Sequence, residues 1–227
     1  MEVEAKLVAR NARVLAAVAR RKRLGRYVLD AVGTRELETV YLDTASGDLT
    51  RRHIALRVRR SKHRVEVTLK LPGDVSRGVH RRPESTWRLR RMPRLPFRPS
   101  SRIARELRRW DRAAPLLPLV GTRIHRRALV VRRPGGGAPV AEIDLDRVEF
   151  FQPDAPAAAP RGSARFHEIE VELLGGDERD LRALVRTLRR RYPLRASRLS
   201  KLERALRWAR NATGARSAVK SARRSRR

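Results

Sequence analysis

The chain has 227 residues, and its 56 Lys and Arg against 24 Asp and Glu give a formal net charge of +32. Hydrophobic residues make up 41% of the sequence but aromatic residues only 4%, so a core can form and must be filled mainly by aliphatic side chains. Cysteine is absent, which excludes disulfides and thiolate metal sites. The five histidines lack zinc-binding spacing, so any metal is expected to be a hard cation held by carboxylate oxygen.

No segment approaches the ~20 apolar residues that a membrane-spanning helix requires. The short apolar run 14–19 is followed by basic residues, which is the wrong order for a signal peptide, so we expect a cytoplasmic protein. The positive charge predicts a polyanionic partner, namely substrate phosphate, polyphosphate or nucleic acid. Solvated surface arginine would account for part of the same composition.

The first half of the chain predicts mainly strands. In chain order these are a strand over 1–7, a helix over 10–23, a strand over 36–43, a turn over 44–48, a hairpin of strands over 54–60 and 64–71, and a strand over 79–88. The stretch 89–118 is irregular and rich in arginine, and only a short helix over 101–112 is predicted within it.

The second half alternates strands with helices. It predicts strands over 123–132 and 139–149, an Ala/Pro loop over 152–162, a strand over 165–174, a helix over 178–191 capped by Asp177, and a last helix over 199–211. We therefore expect one domain over 1–212, followed by a basic, disordered tail over 213–227.

Charged residues occupy every second position in several of these strands, as in 2–6, 56–59, 66–70, 142–146 and 168–172. Alternate residues share one face of a strand, so each segment has an apolar face backed by a charged one. With roughly eight strands and short connections, neighbours should be antiparallel. The charged faces either point to water on an open sheet or turn inward around a solvated tunnel, and periodicity alone does not decide between them.

An ordered set of motifs favours the tunnel. The chain opens with Glu2-x-Glu4-x-Lys6, and the set continues with Tyr41-Leu42-Asp43-Thr44, Leu56-Arg57-Val58-Arg59, Thr68-Leu69-Lys70, the segment 78–84, Arg126, Asp146, Glu168-Ile169-Glu170-Val171-Glu172 and Leu199-Ser200-Lys201. Over about 1–207 this set resembles the CYTH superfamily, the triphosphate tunnel metalloenzymes. The segments 78–84 and 199–201 look most similar to its bacterial inorganic triphosphatase branch.

The resemblance implies an α+β fold, in which a closed eight-stranded antiparallel β-barrel surrounds a charged tunnel and helices pack outside. It also implies hydrolysis of a linear triphosphate with Mg²⁺ or Mn²⁺. Inorganic triphosphate, split into diphosphate and phosphate, is the expected substrate because nothing specifies a pocket for a base or a thiazole ring.

The resemblance also implies roles for individual residues. The expected metal ligands are Glu2, Glu4, Asp146, Glu168 and Glu170. The expected triphosphate-binding cations are Lys6, Arg57, Arg59, Lys70, Arg82, Arg126 and Lys201, of which Lys201 is expected to close one tunnel mouth. Glu4, Glu170, Lys6 and Lys201 are the expected catalytic residues.

Several alternatives stay open at this point. The same fold could carry thiamine-triphosphatase or adenylate cyclase activity, or the chain could bind polyphosphate or RNA with little turnover, partly through its basic tail. A pure polyanion binder gains nothing from acids that face its ligand, so hydrolysis is the favoured reading. Glu66, Glu142, Asp144 and Glu172 receive no role, and His80 is expected to be structural.

Overall fold

The computed structural model describes residues 1–97, 101–107, 115–153 and 165–224, and the side chains of all of these except 101 and 213–224. The strands are β1 (Glu2–Ala9), β2 (Arg23–Leu24), β3 (Tyr27–Asp43), β4 (Ala55–Ser61), β5 (Arg64–Lys70), β6 (Asp74–Ser76), β7 (Val79–Arg82), β8 (Glu84–Leu89), β9 (Leu117–Arg132), β10 (Ala141–Phe151), β11 (Arg165–Leu173) and β12 (Leu194–Ala196). The helices are α1 (Ala12–Ala19), α2 (Asp48–Arg51), α3 (Ser101–Leu107), α4 (Glu178–Arg191) and α5 (Lys201–Arg224).

The strands form one antiparallel sheet with an unusual closure. In the described part of the chain the 12-stranded sheet has the order β6-β7-β1-β11-β10-β9-β3-β4-β5-β8, with β12 beside β1 and β2 beside β3. Pro83 connects its last strand, β8, to β7, which is the second strand from the opposite end of the sheet. Because proline lacks an N–H and restricts the backbone, the single strand predicted over 79–88 is split, and its halves pair with opposite ends of the sheet.

The sheet is strongly curled, so that strands distant in its order meet across the interior. Lys70 of β5 lies 2.6 Å from Glu2 of β1, although several strands separate the two in the sheet. The predicted α+β fold with a curled antiparallel sheet and outer helices is confirmed. The expected closure by hydrogen bonds around eight strands is wrong: among the described residues the sheet has 12 strands and is not closed by a ladder, and Pro83 links β7, near one end, to β8 at the other.

The apolar faces of the strands point outward and are covered by helices. Leu7, Ile169 and Val171 belong to a buried cluster. The helical residues of this cluster are Val14, Leu15 and Val18 of α1 and Leu181, Leu184 and Leu188 of α4. A second cluster joins β4 and β5 to α2 and α3. The charged faces therefore turn inward, as the tunnel arrangement requires.

One end of the interior is apolar. Along β10 the inward side chains change from Asp144 and Asp146 to Val148 and Phe150. The first turns of α5 pack Leu202 and Ala205 into this apolar end. Helix α5 thus closes the apolar end of the curled sheet. Its first residue, Lys201, marks the boundary, and the charged part of the interior begins there.

Some element boundaries differ from those expected. β3 begins at Tyr27 and β9 at Leu117, because the two strands pair along almost their whole length across an irregularity between Ala31 and Gly33. Helix α1 ends at Ala19, and short elements α2, β2, β6 and β12 occupy segments expected to be turns or helix ends.

The predicted α3 helix is described up to Leu107, and the rest of its expected range, like most of the loop over 152–162, lies outside the described residues. Helix α5 continues to Arg224 instead of ending at 211, because its Ala, Arg and Lys residues favour helix. The separate tail over 213–227 stays a prediction. Within the described ranges, no helix is both long and apolar enough to cross a bilayer.

Candidate metal and triphosphate site

Three acidic side chains from two neighbouring strands converge inside the curled sheet. Asp146 on β10 is the cross-strand partner of Glu168 on β11, and Glu170 follows on the same face. One carboxylate oxygen from each lies within 4.8 Å of the others. We call Asp146, Glu168 and Glu170 the acid cluster. Asp146 and Glu168 are fully buried, so their charges need a compensating cation.

Lys201, the first residue of α5, supplies one such charge. Its Nζ lies 3.0 Å from Asp146 Oδ2, 2.7 Å from Glu168 Oε2 and 2.7 Å from Glu170 Oε1. Burial favours the neutral amine, but the three carboxylates outweigh it and hold the pKa of Lys201 well above its usual value. Lys201 therefore lies at the border between the charged interior and its apolar end.

Arg126 is also held by acids. Its Nε donates to Asp146 Oδ1 at 2.8 Å, and its Nη2 donates to Asp146 Oδ2 at 2.7 Å and to Glu170 Oε2 at 3.0 Å. It also forms an ion pair with Asp144. Asp146 accepts in the bidentate geometry that guanidinium groups favour. This expected phosphate-binding arginine is thus already neutralised by the site.

The acids of β1 form a second group, apart from the acid cluster. Lys6 Nζ lies 2.5 Å from Glu4 Oε1, and Lys70 Nζ lies 2.6 Å from Glu2 and 2.7 Å from Glu84. Of the five expected metal ligands, the structure therefore brings three together, and it pairs Glu2 and Glu4 with lysines.

Glu172 joins the β1 group from the neighbouring strand. It is the cross-strand partner of Glu4. Burial, with the charges of Glu2 and Glu4, raises the pKa of Glu172 to about 7. Glu172, one of the acids that received no role from the sequence, therefore faces the interior.

The wall formed by β4 carries two arginines, Arg57 and Arg59, that form no ion pair with any described carboxylate. Arg59 Nε donates to Thr39 Oγ1 at 3.1 Å. Arg57 Nε is buried without a hydrogen-bond partner among the described residues. Burial and the positive charges of Arg57 and Arg126 lower the pKa of Arg59 to about 9. Two partly buried guanidinium groups without a described ion pair are of the kind that can accept an anion.

The guanidinium group of Arg82 donates its hydrogen bonds to backbone carbonyls. Its Nε donates to the carbonyl of Leu71, and its Nη2 donates to the carbonyls of His53 at 2.6 Å and Lys70 at 3.1 Å. The side chain therefore ties β7 to the end of β5, close to the break at Pro83. It still lines the interior cavity, but several of its donors are committed to holding the wall.

These groups surround a cavity of about 230 Å³. Ten of the expected site residues line it, and Tyr41 is the one aromatic side chain among its described lining residues. The expected residues in the lining are Glu2, Glu4, Lys6, Arg57, Arg59, Lys70, Arg82, Arg126, Glu170 and Lys201. Asp146 and Glu168 lie behind Lys201 and Arg126. A second cavity of about 270 Å³ shares Glu4, Lys6 and Arg82 with the first.

Sequence reasoning assigned no role to Glu84, and it assigned His80 a structural role without a partner. Glu84 compensates Lys70, and the strand alternation could have revealed it, because residues 80, 82 and 84 keep the same parity through Pro83. The buried His80 contacts Ser197, with Nε2 3.0 Å from the carbonyl oxygen, four residues before Lys201. No local pattern connects these two residues, since 117 positions separate them.

The acid cluster suits a divalent cation. Glu168 Oε1 and Asp144 Oδ1 are buried without hydrogen-bond partners among the described residues, and Glu168 Oε2 meets Lys201 outside hydrogen-bonding geometry. Burial raises the pKa of Glu168 to about 7 and that of Asp144 to about 8. Hard oxygen donors that lack full compensation are the ligands that Mg²⁺ and Mn²⁺ take.

Known structures share this architecture. A putative adenylyl cyclase from Hippeastrum, described as having a dominant triphosphatase activity, is 21% identical with a TM-score of 0.64, over 92% of this chain and 96% of that chain. A putative adenylate cyclase from Bacillus halodurans is 16% identical with a TM-score of 0.62, over 90% and 96%. The protein PH1819 from Pyrococcus horikoshii is 19% identical with a TM-score of 0.55, over 91% and 99%. The CYTH domain model matches residues 1–206, and the chain belongs to the CYTH family.

Proposed function

We propose that this chain hydrolyses inorganic triphosphate to diphosphate and phosphate with Mg²⁺ or Mn²⁺. Membership of the CYTH family supports an enzyme that acts on triphosphates in general. One observation carries the finer assignment: a single cavity presents the unpaired Arg57 and Arg59 on one wall and reaches Glu170 of the acid cluster on another. Such a cavity can hold a polyanion and a divalent cation side by side.

The cavity favours a substrate without an organic group. Its described lining consists largely of charged and hydroxyl side chains, and Tyr41 is its one aromatic residue. Recognition of an adenine or a thiazole ring would need an apolar or stacking surface beside the phosphate site. ATP and thiamine triphosphate, together with cyclisation of ATP, are therefore the alternatives to exclude by experiment.

The proposed roles follow from charge and position. Asp146, Glu168 and Glu170 would hold the divalent ion, with Glu2 and Glu4 as further ligands. When bound, such an ion neutralises phosphate charge and makes a coordinated water easier to deprotonate. Glu4 and Glu170 are the proposed catalytic acids of this set.

The cations complete the site. Arg57 and Arg59 offer forked donors to phosphate oxygens. Lys6 and Lys201, each held on carboxylates, are the proposed catalytic cations, because they lie where acids and phosphate must meet. Lys70, Arg82 and Arg126 are proposed to bind the outer phosphates and to hold the cavity wall. Positioning and electrostatics are the main contributions that proteins make to phosphoryl transfer.

The proposal is tested by phosphate release from inorganic triphosphate, thiamine triphosphate, ATP and long-chain polyphosphate, each with Mg²⁺, Mn²⁺ or a chelator. We expect the highest kcat/KM for inorganic triphosphate and no turnover with the chelator. Glu170→Gln should reduce kcat by about 100-fold or more, because it removes a charge that acts on the reacting groups. Glu149→Gln, which alters an exposed acid paired with Arg165, is the matched control.

Two outcomes would contradict the proposal. Turnover that persists in the presence of the chelator would show that the reaction does not require a divalent metal. Tight binding of triphosphate without turnover under any condition would favour a binding module instead.

A further inference from the structure

We propose that the outer surface formed by α4 and the segment after α1 binds inorganic polyphosphate, on the opposite side of the sheet from the cavity. The residues that define this surface, which we call the basic helical face, are Arg20, Lys22, Arg23, Arg186, Arg189 and Arg190. All six are exposed. The inference does not depend on the proposed hydrolysis, because none of these residues lines the interior cavity.

The first row of charges follows from the pattern of α4. Its Leu181, Leu184 and Leu188 are buried against the sheet. Because residues three and four apart share a helix face, Arg186, Arg189 and Arg190 lie on the side away from those leucines. Their Cα atoms rise over only about 6 Å along the axis, so the guanidinium groups form a dense row in solvent.

The second row runs beside the first. Arg21 Nε donates to the hydroxyl of Tyr192, at the end of α4, at 3.0 Å. A Cβ built on Gly25 would lie 3.5 Å from Thr187 Oγ1. Arg26 Nη2 donates to Asp180, in the first turn of α4, at 3.3 Å. The segment 21–26 thus follows the length of α4 on the side of Thr187, so Arg20, Lys22 and Arg23 belong to a segment that lies along the helix.

The acids near this surface are already engaged elsewhere. Asp180 accepts from Tyr27 and Arg133, each at 2.7 Å, and Asp177 caps α4. Glu178 pairs with Arg81 and Arg182. Within the described part of the chain, no carboxylate lies at ion-pair distance from any of the six cations.

Some exposed arginines of the sheet are paired with acids, whereas the six cations of the basic helical face are not paired with any described acid. Glu38 pairs with Arg60 and Arg123, and Glu149 pairs with Arg165. The helix dipole stabilises single cations near the end of a helix. It does not account for two adjacent rows of unpaired cations, whose mutual repulsion disfavours the free surface until an anion binds.

The chemistry of the surface points to phosphate as the only group recognised. Arginine forks match phosphate oxygens. Tyr192 is the aromatic residue at this surface, and it is partly buried with its hydroxyl bonded to Arg21, so it offers no platform on which a base could stack. When phosphate contacts alone contribute, a polymer of directly linked phosphates offers more charges per length than RNA, in which a ribose separates successive phosphates. Inorganic polyphosphate is therefore the partner that fits.

The test uses the full chain and fluorescently labelled long-chain polyphosphate, with binding followed by anisotropy over a range of salt concentrations. The variant Arg186→Gln/Arg189→Gln/Arg190→Gln removes the first row. The control Arg60→Gln/Arg123→Gln/Arg165→Gln removes the same charge from arginines that are paired with acids. The first variant should bind roughly tenfold or more weakly than the control, with a salt slope shallower by about 2, as expected when three contacts of ~0.7 each are lost.

Triphosphate hydrolysis should be equal in both variants, because neither touches the cavity. Equal binding of polyphosphate by the two variants would overturn the assignment of the surface. If the wild type binds single-stranded RNA of matched charge as tightly as polyphosphate, and the first variant loses both, the choice of polyphosphate as partner would be wrong.

Discussion

The ammonium of Lys201 lies 2.7 Å from Glu168 Oε2, and both side chains are almost completely enclosed by protein. Lys201 contacts the other two members of the acid cluster as well, so one side chain from the start of α5 compensates charge contributed by β10 and β11. The position of α5 and the electrostatics of the acid cluster are therefore linked. This relationship leads to the first prediction.

Replacing Lys201 by methionine should destabilise the chain in buffer free of divalent ions by about 3–5 kcal/mol, because it leaves buried carboxylates without their partner. Added Mg²⁺ or Mn²⁺ should restore more stability to this variant than to the wild type, since a cation can take over the compensation. Denaturant unfolding with and without the ions measures both effects.

The exposed Arg165→Met is the control for Lys201→Met, and it should cost less than about 1 kcal/mol because its pair with Glu149 is solvated. A loss of stability in Lys201→Met that does not change with the ions would show that the cluster does not bind them.

Arg59→Met should weaken substrate binding without weakening the fold. Arg59 is half-buried beside the like charges of Arg57 and Arg126, and burial together with these charges lowers its pKa to about 9. Removing it relieves repulsion, so we expect unchanged or higher stability with a KM for triphosphate at least tenfold higher, or about 1.4 kcal/mol.

The neighbouring Arg60 makes a matched control for Arg59, because it points outward and pairs with Glu38. Arg60→Met should leave KM unchanged. A marked loss of stability in Arg59→Met with a normal KM would mean that Arg59 is structural.

His80 should act through Lys201. Burial and the charge of Lys6 lower the pKa of His80, so its imidazole is neutral near pH 7. A neutral ring can then donate from Nε2 to the carbonyl of Ser197. Because this bond holds the chain just before α5, His80→Leu should reduce kcat by roughly 10-fold to 100-fold, as misplaced catalytic groups do, with a smaller change in KM.

His80→Gln is the test of this positioning role, since its amide can donate to the same carbonyl. It should recover most of the lost kcat, whereas a role limited to core packing would leave His80→Gln as impaired as His80→Leu. Steady-state kinetics with inorganic triphosphate distinguishes the two outcomes.

Glu172 should give the stability a specific pH dependence in the absence of divalent ions. Burial, Glu2 and Glu4 raise its pKa from 4.5 to about 7 in the folded chain. The folded state then binds more protons than the unfolded state between these values, so this group's contribution to stability falls as the pH rises through the window. Glu172→Gln should remove that loss, gaining about 1–2 kcal/mol at pH 8 because the site is partly solvated.

Glu84→Gln should show the opposite sign. Burial raises the pKa of Glu84, but Lys70 and Arg57 outweigh burial and lower it overall. Its charge therefore stabilises the fold above the unfolded pKa, and the variant should lose stability at neutral pH but not in acid. Unfolding measured across pH 4–8 compares the two variants, and parallel curves would contradict both assignments.

The sequence predicted the inner face of the sheet well where the alternation is strict. Glu2, Glu4, Glu168 and Glu170 point inward because a strand with one buried apolar face has only one register. It did not predict the first part of β3, where residues 30–36 are all exposed and no face is marked by burial. The break at Pro83 was also missed, since a proline can end a strand or merely redirect it.

For the site, the motifs identified the residues but not their partners. Arg126 and Lys201 were expected to face the substrate, yet each is held by several carboxylates. These pairings depend on which strands become neighbours and on where α5 begins. Such relationships join residues distant in the sequence, so a local pattern does not contain them.

Strand pairing is interrupted at Pro83, so the wall of the curled sheet is held least strongly between β5 and β7. β5 and β7 share no strand ladder in the described sheet. They are connected by the Leu71–Pro83 backbone hydrogen bond, by the side chains of Arg82 and Lys70, and by β6, which follows β5 and pairs with β7. Separating β5 from β7 breaks a few hydrogen bonds and ion pairs of about 1 kcal/mol each, whereas separating β10 from β11 breaks an entire ladder of hydrogen bonds. We therefore expect local opening of the cavity wall to begin between β5 and β7, before any of the longer strand ladders separates.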